Sequence, residues 1–181
     1  MIGPPPASVR LDETHELRAL APDDAETVAG LVRANLDHLR PWMPWADERS
    51  ADPAFQRARI RGLADLARRG VEWQYGLFAD ESLLGSFGLM TRRGPGTLEI
   101  GYWLAADATG AGLATRATSA LADTGAALDE VDALWIVCDE ANVRSAAIAR
   151  RCGFALDHSY AQEPQSPGEV GRMLVFVRPC R

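Results

Sequence analysis

No run of about 18 apolar residues occurs anywhere in the chain, so no membrane-spanning helix is expected. The opening MIGPPPASVRLDETHEL lacks the basic start and apolar stretch of a secretion signal. Cysteine is scarce: Cys138, Cys152 and Cys180 form an odd set without CxxC spacing, which excludes a disulfide framework and a thiolate metal site. His15, His38 and His158 are scattered, no pair has metal-ligand spacing, and no metal is expected. Positive charge is in deficit, with 19 basic against 25 acidic residues and a net charge of -6. That argues against a general nucleic-acid binder, which carries a basic face. The P-loop lysine and the dinucleotide GxGxxG pattern are both missing. What remains is a reduced, cytoplasmic, soluble protein with neither a membrane nor a nucleic acid as partner.

What is present fits one domain: 181 residues, 47% hydrophobic and 24% charged. Residues 1–14 read as a loose, Pro-rich arm and 15–181 as the folded unit. HELRAL (15–20) is a short strand. APDDAETVAGLVRANLDHL (21–39) is a helix, opened by Pro22 and two acids and carrying Val28, Leu31, Val32, Leu36 and Leu39 at helical spacing. Pro41 and Pro44 end it, and 53–70 forms a second helix closed by Gly70. Three strands follow as a meander, at 72–79, 82–91 and 96–104. A helix over 112–128, an apolar strand at 133–139, a helix at 142–153 and two terminal strands complete the chain. The fold class is therefore α/β (α+β): a mixed, mostly antiparallel central sheet flanked by helices.

The junction AADATGAGLATRAT (105–118) separates a strand from a helix with small residues alone. A helix N-terminus leaves backbone N–H groups without partners and carries partial positive charge. Small side chains let an anion reach those donors, so Gly110 and Gly112 mark either a phosphate cradle or a tight turn needing positive φ. The flanking stretches LEIGYWL, TGAGLAT and ANVRSAAIARRCGF, in that order, resemble the core of the GCN5-related N-acetyltransferases (GNAT). NLDHLRPWMPW (35–45) resembles the branch that contains the ribosomal-protein N-terminal acetyltransferases RimJ and RimL. The resemblance spans about residues 15 to 178. It implies the GNAT fold, acetyl-CoA as acyl donor and a primary amine as acceptor, either a protein N-terminal α-amine or a small-molecule amine. A larger acyl group such as succinyl, or an acyl-CoA sensor without turnover, are the rival readings. Homodimerisation is a further expectation that the resemblance carries.

It also implies a cofactor site. The backbone of Thr109, Gly110, Ala111, Gly112, Leu113, Ala114 and Thr115 would hold the pyrophosphate. Trp103, Leu104 and Ala105 would pair with the pantetheine arm, and Asn142 and Ser145 would meet it from the opposite helix. Thr109 stands where the family pattern carries arginine or glutamine.

Amide formation from a thioester requires the amine to lose a proton, the oxyanion to be stabilised and the thiolate to be protonated. Glu99 is a lone acid in an apolar strand. Alternation puts it with Thr97, Gly101 and Trp103, and puts Leu98, Ile100, Tyr102 and Leu104 on the other face. It could take the proton directly, act through a water or anchor a cationic amine. Ser145, three residues beyond Asn142 on the same helix side, is the candidate proton donor to the thiolate. His38, Trp42 and Trp45 are candidates for the acceptor pocket, the tryptophans also reading as a core plug or a subunit contact. Cys138 reads as a small core hydrophobe. The arginines at 57, 59, 61, 68 and 69 read as a solvated helix face, or as a surface for the phosphates at the adenosine end of CoA or for an acidic partner.

Overall fold

The computed structural model describes residues 2–180. One eight-stranded sheet runs through the molecule in the order β1-β2-β3-β4-β5-β6-β8-β7. Its strands are β1 (Ser8–Arg10), β2 (His15–Ala19), β3 (Glu72–Ala79), β4 (Ser82–Met90), β5 (Thr97–Leu104), β6 (Ala133–Asp139), β7 (Ala155–Ala161) and β8 (Arg172–Pro179). Helices α1 (Ala25–Ala34), the short α2 (Leu36–Leu39) and α3 (Pro53–Arg68) precede the meander; α4 (Leu113–Ala126) and α5 (Val143–Arg151) flank β6 in sequence. Every strand pair is antiparallel except β5–β6, which follows from the α4 crossover between them. The expected mixed sheet is what the chain forms.

The two faces are unequal. A large apolar cluster packs Leu77, Phe87, Leu98, Ile100 and Leu134 against Ala117 and Leu121 of α4 and Ala149 of α5. A smaller one joins Val28, Val32 and Ile60 of α1 and α3 to Phe78 and Leu83. The alternation read from TLEIGYWL is reproduced, with Leu98 and Ile100 in the larger cluster. Glu99 faces the α1–α3 side and is itself only 3% exposed.

Two expectations are corrected. Residues 1–14 are not a loose arm throughout: Ser8–Arg10 pairs with Glu16–Arg18, the Tyr75 hydroxyl donates to the Pro6 carbonyl at 2.9 Å, and Pro5 is buried. The prolines hid the strand, because Pro4, Pro5 and Pro6 have no amide to donate and leave only a short stretch after them. The helix expected over 21–39 is broken at Asn35, whose φ of -120° lies outside the helical range. There the side chain turns to tertiary work. Its Nδ2 donates to the Leu31 carbonyl at 2.9 Å, and its Oδ1 accepts from the Ala106 amide at 2.8 Å. This 8% exposed asparagine fastens the α1–α2 bend to the turn that follows β5.

Asp139, at the end of β6, fixes the loop that approaches the sheet from β8. Its carboxylate accepts from the amides of Ala141 (2.9 Å), Val170 (3.1 Å), Gly171 (2.9 Å) and Arg172 (3.3 Å). Burial alone would raise its pKa, but the amide donors overcome that and hold the carboxyl below the usual range. A depressed folded-state pKa means the stabilisation is present above the unfolded value, near pH 4, and is lost as the pH falls through the folded value. Asp139→Ala is expected to lower unfolding stability by about 2–4 kcal/mol in urea titrations at pH 7. Stability of the wild type should fall on acidification below about pH 4 more steeply than that of the variant.

Candidate active site

β5 and β6 do not stay together. Their parallel pairing covers only Thr97↔Ala133, Leu98↔Leu134 and Glu99↔Trp135, and then the strands part. On its other edge β5 remains paired with β4 as far as Gly85↔Leu104. Residues 100–104 thus present one strand edge to an opening rather than to a neighbour. Unpaired backbone at the middle of a sheet is costly unless something supplies the missing hydrogen bonds. An extended, amide-bearing chain is one such partner.

The opening leads to the N-terminus of α4. Gly112 is the N-cap residue, with φ of 75°, and Gly110 lies at φ 88°, both in the left-handed region. No side chain caps this helix. A Cβ at Gly110 or Gly112 would meet nothing within 4 Å, so neither glycine serves close packing against the protein. Gly85 is the contrast: a Cβ there would strike the Trp103 carbonyl oxygen. The exposed run 109–112 therefore leaves room at a helix N-terminus of the kind that receives a phosphate. The Thr109 hydroxyl does not point into that room as a donor; it donates to the Ala106 carbonyl at 2.7 Å and closes the turn.

At the other end of the opening lies a cavity of about 440 Å³, within the range of small-molecule sites. It brings together Glu99, Trp103, Asn142, Ser145, Trp42 and Trp45, all candidate site residues from the sequence. His38 lies half-buried on α2 and is not among the lining residues. Trp45 packs on Trp103 with ring centroids 5.9 Å apart, which makes the tryptophans a wall rather than a core plug. Gln165 and Glu169 complete the rim, and the Gly168 amide donates to the Pro41 carbonyl at 2.9 Å, so the 162–171 loop closes on the Trp42–Trp45 segment. A larger apolar cavity, about 610 Å³, lies between the N-terminal arm, α3 and β3 and contains none of these groups.

Glu99 is not a free base. Arg92 and Arg93 each donate to one of its two oxygens. The Arg92 side chain is 59% exposed and that of Arg93 is 28% exposed. A carboxylate whose two oxygens are each taken by a guanidinium donor is held as an anchor rather than left open as a base. The geometry therefore suits orienting a cationic amine, or a water beside it, better than direct abstraction.

Asn142 caps α5, its Oδ1 accepting from the Ser145 amide at 3.1 Å. Ser145 Oγ lies 3.0 Å from the Tyr102 hydroxyl, which also donates to the Ser145 carbonyl at 3.3 Å. Tyr102 stacks on Phe87 at 5.8 Å and reaches across the gap between β5 and α5. Burial pushes its pKa up and keeps the phenol protonated. Cys138 lines the same cavity; burial pushes its thiol pKa up as well, which suits a packed thiol rather than a nucleophile.

The sequence had missed Arg92, Arg93, Tyr102 and Asn35. The first two stand in the TRRGPG turn, and tandem arginines next to a strand with a lone glutamate were the available signal. Tyr102 was assigned to the face opposite Glu99, correctly, but its contact across the opening has no local signature.

Comparison with known proteins agrees with this arrangement. Residues 15–155 match the acetyltransferase (GNAT) domain family. YdaF of Bacillus subtilis, provisionally named a ribosomal N-acetyltransferase, is 31% identical over 154 residues, covering 80% of each chain. The ribosomal-protein-serine acetyltransferase of Escherichia coli is 28% identical over 152 residues, covering 83% of this chain and 84% of its own. Among solved structures, RimL, a ribosomal-protein α-N-acetyltransferase in complex with coenzyme A, superposes with a TM-score of 0.86 at 23% identity, covering 95% of this chain and 97% of that one. With the family model spanning most of the chain and the sheet opening in place, the protein belongs to the GNAT family of acetyltransferases.

Proposed function

We propose that this acetyltransferase moves an acetyl group from acetyl-CoA to a protein N-terminal α-amine by direct attack while both substrates are bound. The observation that carries the reading is the β5 edge at 100–104, unpaired on the β6 side and running straight to the open N-terminus of α4. The relatives named for acetylation of ribosomal proteins, and the RimL structure that binds coenzyme A, support it.

Acetyl-CoA supplies an acyl group activated as a thioester. The residues that would hold it are the strand edge at Trp103 to Ala105, the amides of 110–115 and the Asn142–Ser145 face of α5. The chain's own groups do the rest. Trp42 and Trp45 wall the acceptor side, and Glu99 draws the acceptor amine toward the opening, directly or through a water. Arg92 and Arg93 hold that carboxylate in place before the amine arrives. As the C–N bond forms and the C–S bond breaks, the amine proton passes to a water held beside Glu99. Ser145, oriented by Tyr102, is the nearest hydroxyl for the departing sulfur. Proximity supplies much of the acceleration, so no acyl-enzyme is needed.

The test is acetyl transfer to a short peptide with a free N-terminus, followed by thiol release and peptide mass. Release that depends on the peptide is expected; tight coenzyme A binding with no release from any amine would instead indicate a sensor. All 19 basic residues are arginine, so the enzyme offers no side-chain amine of its own, and label retained on one of its side chains, rather than on its α-amine, after incubation with acetyl-CoA alone would expose a covalent intermediate. Glu99→Gln should reduce kcat about 100-fold with little change in coenzyme A affinity. Gly112→Asp puts a carboxylate where open space now stands. It should weaken coenzyme A binding by at least about tenfold in calorimetry relative to Gly112→Asn, which carries the same left-handed strain without the charge; equal affinity in the two variants would place the pyrophosphate elsewhere.

A further inference from the structure

The cavity carries more charge than acetyl transfer to a bare amine requires. Its ionisable walls are Arg59, Glu72, Arg92, Glu99, Asp139 and Glu169. Each carboxylate is already committed. Glu99 accepts from Arg92 and Arg93, and Asp139 from backbone amides of 141 and 170–172. Glu169 accepts from the Gln165 amide at 2.6 Å, and Glu72 from the Gln74 side-chain amide at 2.9 Å.

Arg59 is the exception. Its one hydrogen bond is a long contact of 3.4 Å to Gln56 Oε1, and it makes no ion pair among the described residues. Its neighbours on α3 differ: Arg57 faces Asp23 and Glu26, and Arg68 pairs with Asp65, all on the surface. Arg59 instead turns inward. It lines both the cavity and the adjoining pocket beside Trp45, Ser86 and Trp103, on the wall away from α5. Burial works against its charge, and Glu72, beyond ion-pair reach, is the carboxylate that opposes this effect. A guanidinium stays protonated in a protein, and this half-buried one leaves most of its donors unused by the protein where it lines the cavity. Its planar fork is shaped for a carboxylate.

We propose that Arg59 is a specificity residue that receives a carboxylate of the acceptor, borne by an aspartate or glutamate side chain close behind the reacting α-amine. Glu99 and Arg59 would then read the two ends of one short segment, cation at the opening and anion at the α3 wall, with Trp45 and Trp103 between them. This rests on the acetyl-transfer reading above.

The experiment compares two peptides that differ only by Glu or Gln at the second residue, with acetyl-CoA saturating. The wild type is expected to favour the Glu peptide in kcat/KM by at least about tenfold, mainly through KM. Arg59→Gln should bring the ratio close to one, Arg59→Glu should invert it, and Arg59→Lys should keep part of it, since charge remains while the fork is lost. Coenzyme A affinity and thermal unfolding of each variant confirm that the fold is intact. An even ratio in the wild type, or a ratio that Arg59→Gln leaves unchanged, would overturn the proposal. So would a phosphoserine peptide preferred over a Glu peptide that behaves like Gln. Failure of the wild type to acetylate either peptide counts against the acetyl-transfer reading itself, and the proposal falls with it; transfer with an even ratio counts against Arg59 alone.

Discussion

The parting of β5 and β6 after Glu99↔Trp135 is the constraint on which the rest of the site depends. A continuous parallel pair would satisfy the backbone of 100–104 and leave no slot in the sheet. Here each strand is held from its outer side, β5 by β4 and β6 by β8, so that the gap is kept open by ladders rather than by chance. Tyr102 spans the gap to Ser145 on one face, while Glu99 and its two arginines sit at its apex on the other. The chemistry proposed above is placed by those two crossings.

Around the gap, three fastenings convert loops into walls. Asn35 ties the α1–α2 bend to the turn after β5, at the entrance to the glycine run. Asp139 gathers the amides of 170–172 against the end of β6. The Gly168 amide then joins that loop to Pro41, closing the tryptophan segment over the cavity. Asn35 and Asp139 are buried polar groups with their partners satisfied, the condition under which such groups specify one geometry rather than weaken the core. The loops that line the cavity are thus long in sequence yet anchored at few, defined atoms.

Much of this was legible in the chain itself. The meander, the α4 crossover and the apolar β6 follow from periodicity, and the glutamate of TLEIGYWL stands out because it interrupts an apolar strand. The glycine junction signals a helix N-terminus with room beside it. Features that depend on tertiary geometry were not legible. Asn35 sits inside a helical pattern, and its bend is imposed by the Ala106 amide 71 residues away. Ser8–Arg10 has too few residues after the prolines to announce a strand. Arg59 looks like its neighbours in RARIRGLADLARR, and only the position of α3 over the sheet separates the inward arginine from the surface ones. His38 shares a motif with the tryptophans but, standing on the single-turn α2, is not among the residues that line their cavity.

The most direct measurement is a crystal structure of the protein with coenzyme A. The account predicts the pantetheine lying along residues 100–104 in the gap between β5 and β6, its pyrophosphate on the amides of 110–115 and its sulfur near Ser145. Coenzyme A bound in the apolar cavity beside the N-terminal arm, or β5 and β6 closed on each other in the complex, would contradict it.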